Sequence, residues 1–161
     1  MMHRAVEAVL AAGAMLLAAG PATAAGAFAV IRGPDFTWLV EKASIRGAGT
    51  ARAFSAYQVN LKAQTVNGHQ SNFISSVWFA DCAAHTLAFA QANSLDADLK
   101  PLNNIFPRGG PGHQQVLPTG PNAVLRQVEN TVCGVGAVDW IEAGDVGALM
   151  RDELQRRQRG G

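Results

Sequence analysis

The sequence predicts an α+β fold in which an antiparallel meander of about five to six β-strands carries a C-terminal amphipathic helix, tethered to the sheet by a disulfide. Three observations support this prediction. Short apolar runs alternate with turn residues up to about residue 92, and the hydrophobic period becomes helical after residue 121. The only two cysteines, Cys82 and Cys133, lie at the end of a predicted strand and at the end of the predicted helix.

The amino terminus has the organisation of a secretory signal peptide. A short basic start is followed by the apolar run AVEAVLAAGAMLLAAG and by Ala22-Thr23-Ala24, whose small side chains suit signal peptidase. The uncharged stretch from Ala8 to Pro21 is shorter than the roughly 18–20 residues that a membrane span requires. We therefore expect residues 1–24 to be cleaved on export to the periplasm or cell surface, and no transmembrane segment to follow them.

The mature chain has the length of one domain. We expect residues 25–136 to form the sheet with its docked helix, and residues 137–161 to form a helical C-terminal extension. The formal net charge of +1 provides no strong field to attract nucleic acid, so no nucleic-acid partner is expected. The basic run RRQR at 156–159 is typical of a solvated helix end.

Strands are predicted where apolar or alternating runs lie between turn residues. Gly33-Pro34-Asp35 separates the first two runs, and Asn67-Gly68 is a strong hairpin turn between the third and the fourth. The five runs are AFAVI (27–31), FTWLV (36–40), TARAFSAYQVNLK (50–62), NFISSVWFADC (72–82) and HTLAFAQA (85–92).

The segment KPLNNIFPRGGPGHQQVLPTGP (100–121) is rich in glycine and proline, which predicts a long, partly ordered loop with at most short strands. Ile105, Phe106, Arg108 and His113 stand near glycines that let a backbone approach a partner closely. Loops on a rigid scaffold are common recognition sites, so these four are the candidate ligand-binding residues. A connector without a binding role is the alternative.

The period of a helix appears in NAVLRQVENTVCG (122–134). Asn122 is a favourable N-cap and Gly134 a favourable residue just past the end. Arg126, Glu129 and Asn130 are placed outside the apolar face of this helix. A second helix is predicted from about Asp145 to Gln158. The apolar face of the first helix consists of Val124, Leu125, Val128 and Val132.

The stretch FADCAAHTL (79–87) places Asp81, Cys82 and His85 close together, which raises a choice between a thiol nucleophile with its base and one half of a disulfide. An exported chain with two cysteines most often forms one disulfide. The nucleophile would need His85 within hydrogen-bond reach, yet residues three apart on a strand point to opposite faces. We therefore favour a Cys82–Cys133 disulfide and expect no catalytic residues, with a catalytic thiol as the alternative.

The sequence predicts neither a metal nor a cofactor. His69, His85 and His113 lie far apart in different predicted elements, whereas a metal site needs converging ligands. PRGGPGH (107–113) lacks the lysine and hydroxyl residue that end a phosphate-binding loop. No G-x-S-x-G motif exposes a serine at a sharp turn, so a small hydrolase is the least favoured function.

Several short motifs occur in a suggestive order. FTWLVEKASIRGAGTAR (36–52) contains an aromatic strand, an acid, Ser-Ile, a glycine turn and an arginine; Asp81-Cys82 follows in the centre. Pro121-Asn122 and Val132-Cys133 begin and end the predicted helix. In these motifs the chain resembles the surface-adhesin protein E family of small exported bacterial proteins, over roughly residues 29–133. It departs from the family in Glu41, where aspartate is usual, in the long loop and in the tail after Cys133.

The resemblance implies a curved antiparallel sheet with a C-terminal helix fastened by the disulfide. It also implies a binding role at the cell envelope, with host matrix proteins among the partners. We therefore expect a non-enzymatic binding module whose partner is a protein or an envelope component. The alternative is a periplasmic accessory or inhibitor protein that captures an extended segment along an edge strand.

Overall fold

In the computed structural model, which describes residues 25–160, seven β-strands form a single antiparallel sheet with two α-helices packed on it. The expected signal peptide lies outside the described residues. The strands are β1 (Gly26–Arg32), β2 (Phe36–Glu41), β3 (Ala51–Val66), β4 (His69–Asp81), β5 (Thr86–Leu95), β6 (Gln115–Pro118) and β7 (Trp140–Ala143), and the helices are α1 (Ala123–Cys133) and α2 (Val146–Arg159).

The strand order is β6-β5-β4-β3-β2-β1-β7. The first six strands form the predicted meander, and β7 returns to the opposite edge to pair with β1. Asn67 and Gly68 both have positive φ, 51° and 79°, as the tight turn of the long β3–β4 hairpin requires. The five predicted strands are therefore confirmed, and the chain forms them because each pairs with its neighbour in sequence.

The sheet has seven strands, whereas the sequence predicts five to six. The two additional strands, β6 and β7, have four residues each and lie at the two edges of the sheet. β6 lies inside the glycine- and proline-rich segment, and β7 lies between the two helices. Such short strands take their conformation from the strand they pair with, so their own residues carry little periodic signal.

Helix α1 covers one face of the sheet. Its fully buried Val128 packs with Val132 against Trp38, Trp78 and other apolar residues of β1 to β5. The Trp38 and Trp78 ring centroids are 5.0 Å apart. Both predicted caps of this helix are confirmed: the Asn122 side chain accepts hydrogen bonds from two first-turn amides, and Gly134 adopts the left-handed conformation.

Helix α2 covers the opposite face. Val146 and Met150 pack against Phe28, Leu39 and Val59, and Phe28 alternates along β1 with residues of the first face. The predicted second helix is thus present. It packs on the same sheet that β7 extends at one edge. The division of the chain at residue 136 stays a prediction. No helix among residues 25–160 is long and apolar enough to cross a membrane.

A partly buried ion pair between Arg32 and Glu153 anchors α2. Glu153, 2% exposed, accepts hydrogen bonds from Arg32 Nε at 2.7 Å and Nη2 at 2.9 Å, and from the Thr37 hydroxyl at 3.1 Å. Burial by itself would raise the pKa of Glu153, but the hydrogen bonds and charge of Arg32 outweigh it and lower that pKa below its ordinary value. The same contacts raise the pKa of Arg32. The anchor is therefore charged at neutral pH.

Candidate functional site

The two cysteines form the predicted disulfide. Cys82 directly follows β4 and Cys133 is the last residue of α1, and their Cα atoms lie 5.9 Å apart. The bond spans 51 positions of sequence and joins the helix to the sheet. The alternative of a thiol nucleophile at Cys82 is wrong, because both sulfur atoms are in the bond.

Asp81 shapes the turn that carries Cys82. Its Oδ1 accepts hydrogen bonds from the amides of Ala83 and Ala84, both at 3.0 Å. The amide of Cys82 donates to the carbonyl of Thr50 at 2.8 Å. Asp81 therefore organises the β4–β5 turn, as aspartate side chains commonly do.

His85 pairs with a glutamate rather than with a thiol. Its Nδ1 lies 2.7 Å from Oε1 of Glu129 on α1, while its own side chain is 74% exposed. The Thr119 hydroxyl contacts the other carboxylate oxygen of Glu129. These three side chains, His85, Thr119 and Glu129, are called the polar clamp below. It joins the β4–β5 turn, the segment after β6 and α1.

The prediction that Glu129 lies outside the apolar face of the helix is wrong, because Glu129 is 3% exposed. Its position was readable in the sequence: Leu125, Val128, Glu129 and Val132 follow the i, i+3, i+4, i+7 spacing of one helix face. A carboxylate in that row must find buried partners, and the polar clamp supplies them.

The candidate ligand-binding residues lie at the β5 edge of the sheet. Ile105 exchanges two backbone hydrogen bonds with Ala92 of β5, at 2.7 and 2.8 Å. Phe106, which follows it, is 39% exposed. Arg108 and His113 are exposed too, on the same excursion of the chain. The structure thus places Ile105 on the sheet edge and Phe106, Arg108 and His113 on the short segment that follows it; whether they bind a ligand stays a prediction.

That segment, residues 106–114, leaves the sheet edge after Ile105 and returns to it at β6; it is called the edge excursion below. Two turns shape it: the amide of Gly110 donates to the carbonyl of Pro107 at 3.0 Å, and the amide of His113 to that of Gly110 at 3.3 Å. A side chain at Gly109 would collide with the His113 ring, since its Cβ would lie 2.8 Å from Cγ. Glycine at 109 therefore allows the His113 ring to fold onto the backbone.

The remaining histidines do not converge. Among residues 25–160, no group of three or more histidine, cysteine or carboxylate residues is arranged to hold a metal ion. The disulfide attaches α1 to the sheet, whereas the edge excursion exposes the side chains of Phe106, Arg108 and His113.

Comparison with solved structures identifies the same fold elsewhere. A crystal form of Haemophilus influenzae protein E superposes with a TM-score of 0.53 at 15% identity, covering 71% of this chain and 94% of that one. The chain has a protein E-like fold. A structure of protein E from non-typeable H. influenzae superposes with a TM-score of 0.50 at 15% identity, over 66% of this chain and 76% of that one.

At this level of identity the comparison with protein E concerns the fold. No protein-family model matches the chain. None of the curated proteins matches it in sequence either. The resemblance read from the motifs is thus confirmed as a protein E-like fold, and the binding role that it implies is a separate question.

Proposed function

We propose that this protein is an exported, non-enzymatic binding module of the cell envelope that recognises a protein or another envelope component through the edge excursion. The observation that carries the proposal is the display of an apolar and a cationic side chain on a segment fixed to the sheet at both ends. The protein E-like fold and the disulfide support it. The motif resemblance to the surface-adhesin protein E family adds host matrix proteins as a candidate partner class.

The attachment of the edge excursion suits recognition. Ile105 holds one end through two hydrogen bonds to β5, and β6 holds the other end by pairing with the same strand. A loop so held loses less conformational freedom on binding than a free connector would. Phe106 and Arg108 belong to residue types that are enriched at protein interfaces.

The edge strand β7 supports the alternative function, capture of an extended segment. β7 lies at the other edge of the sheet and carries the exposed side chain of Ile141. An extended segment could pair there through backbone hydrogen bonds. With four residues, β7 offers a short template, so we rank this mode second.

A cross-linking pulldown from envelope extract tests the proposal, with the mature, oxidised protein as bait. The variants are replacement of residues 106–114 by a Gly/Ser link of about six residues, and the double substitution Phe106→Ser, Arg108→Ser. Val135→Ser is the control, because Val135 is another exposed apolar side chain, 59% exposed, in a different part of the molecule.

We expect the wild type and Val135→Ser to recover the same partner, and both excursion variants to lose it while keeping their thermal stability. If the folded excursion variants recover the partner unchanged, the excursion is only a connector. In that case loss of the partner in Ile141→Lys would select the edge-strand mode. A wild-type bait that enriches nothing over an unrelated exported protein would reject a binding role.

A further inference from the structure

The polar clamp and the disulfide connect the same two elements. Glu129 precedes Cys133 by four residues on α1, so the two side chains lie on the same side of the helix about 6 Å apart along its axis. His85 follows Cys82 by three residues in the β4–β5 turn. The covalent and the non-covalent fastening are therefore adjacent, one helical turn apart.

The polar clamp gives each carboxylate oxygen of Glu129 a polar partner. The Thr119 hydroxyl contacts Oε2 of Glu129 and also lies 3.0 Å from the His85 carbonyl oxygen, to which the backbone amide of Thr119 donates at 3.0 Å. A carboxylate only accepts, so His85 carries a hydrogen on Nδ1 and donates it to Oε1. Both oxygens of Glu129 are thus satisfied.

His85 is held from two directions. Its backbone is left-handed, with φ of 54°, a conformation that is uncommon for residues other than glycine. The amide of Thr119 fixes its carbonyl and Glu129 fixes its ring. Together with the hydrogen bonds of Asp81, these contacts define the turn that presents Cys82 to the end of α1.

We propose that the polar clamp docks α1 before the cysteines are oxidised, and so holds the two thiols at bonding distance. The clamp is then a pre-organising device that makes the native disulfide form, and re-form after reduction. With glutathione disulfide as oxidant, the Cys82 and Cys133 thiols lose two protons and two electrons and form one S–S bond. One glutathione disulfide is reduced to two glutathione thiols.

The test is the equilibrium between reduced and oxidised protein in glutathione redox buffers at one fixed pH, which measures how effectively the fold brings the two thiols together. Glu129→Gln removes the charge of the clamp. His85→Gly removes the ring and keeps a residue that favours the left-handed backbone. Glu153→Gln is the matched control, since Glu153 is equally buried but belongs to α2 on the opposite face.

We expect Glu129→Gln and His85→Gly each to lower the equilibrium constant for disulfide formation about tenfold, the scale of one charged hydrogen bond. Glu153→Gln should leave it within about twofold. An unchanged constant in His85→Gly would overturn the proposal, whether or not the reduced Glu129→Gln protein folds. An equal fall in Glu153→Gln would overturn it too, because the constant would then follow global stability alone.

Discussion

Glu129 and Glu153 are buried to a similar degree, 3% and 2% exposed, yet their partners differ. Glu153 faces the guanidinium of Arg32 through two hydrogen bonds, whereas Glu129 faces an imidazole and a hydroxyl. Each glutamate lies in the apolar face of its helix. The helix can therefore dock only where that carboxylate meets its polar partners. A buried charge kept in such a row requires a specific partner, which limits how the helix can dock.

The contribution of Glu153 should depend on pH in a defined direction. Folding lowers the pKa of Glu153 below its ordinary value. Its stabilisation is therefore fully present above the pKa of the unfolded chain, and it is lost as the pH falls through the lower folded value. We expect Glu153→Gln to reduce the free energy of unfolding by about 1–3 kcal/mol at pH 7.

Urea denaturation of the wild type and Glu153→Gln at several pH values measures this. The difference in unfolding free energy between the two proteins should shrink as the pH falls below the pKa that the Glu153 carboxyl group has in the unfolded chain. Asp152→Asn, at the exposed neighbouring position of α2, is the control and should show little change. A difference that stays constant down to the acid transition would contradict a charged anchor.

At the scale of elements, α1 could be predicted closely and the edge strands could not. The extent of α1 was readable because Asn122 and Gly134 supply local signals at its two ends. β6 and β7 have no comparable signal in four residues, and they exist only because β5 and β1 have open edges to pair with. Their positions depend on the assembled sheet, which a local pattern does not contain.

The face of α1 yields a prediction for single substitutions. Val128 is fully buried, so Val128→Ala should lower the free energy of unfolding by about 2–3 kcal/mol, through lost burial and the cavity left behind. Arg126 on the exposed side should cost under about 0.5 kcal/mol when changed to alanine. Leu125 is half-buried, so Leu125→Ala should fall between the two. Chemical denaturation measures these losses. Equal losses of unfolding free energy in Arg126→Ala and Val128→Ala would mean that the wrong face of α1 has been assigned to the sheet.

At the scale of the whole molecule, the sequence predicted one helix on the sheet and a tail, whereas the structure has a helix on each face. The apolar spacing of α2 was readable, but an amphipathic stripe does not say which surface it covers. The position of β7 determines which face α2 covers. β7 pairs with β1 at the edge of the sheet, and α2 begins directly after it. The partners of the site residues were hidden for the same reason: Thr119 and Glu129 meet His85 only across three separate segments.

Without the disulfide, only non-covalent contacts hold α1 on the sheet. Reduction, or Cys133→Ser, opens a closed loop of about 50 residues and should lower the free energy of unfolding by about 2–5 kcal/mol. A helix of 11 residues does not persist alone in water, so from length alone α1 should be released. The polar clamp and the apolar face of Val128 and Val132 oppose that release.

We therefore expect the Cys133→Ser protein to be less stable but to keep α1 docked, with its amides still protected from hydrogen exchange. Adding Glu129→Gln to Cys133→Ser should abolish that protection, while β3 and β4 at the centre of the sheet stay protected. Equal unfolding free energies for the oxidised and the reduced protein would refute the stabilising role of the disulfide. Loss of α1 protection in Cys133→Ser alone would show that the covalent bond, and not the clamp, keeps the helix on the sheet.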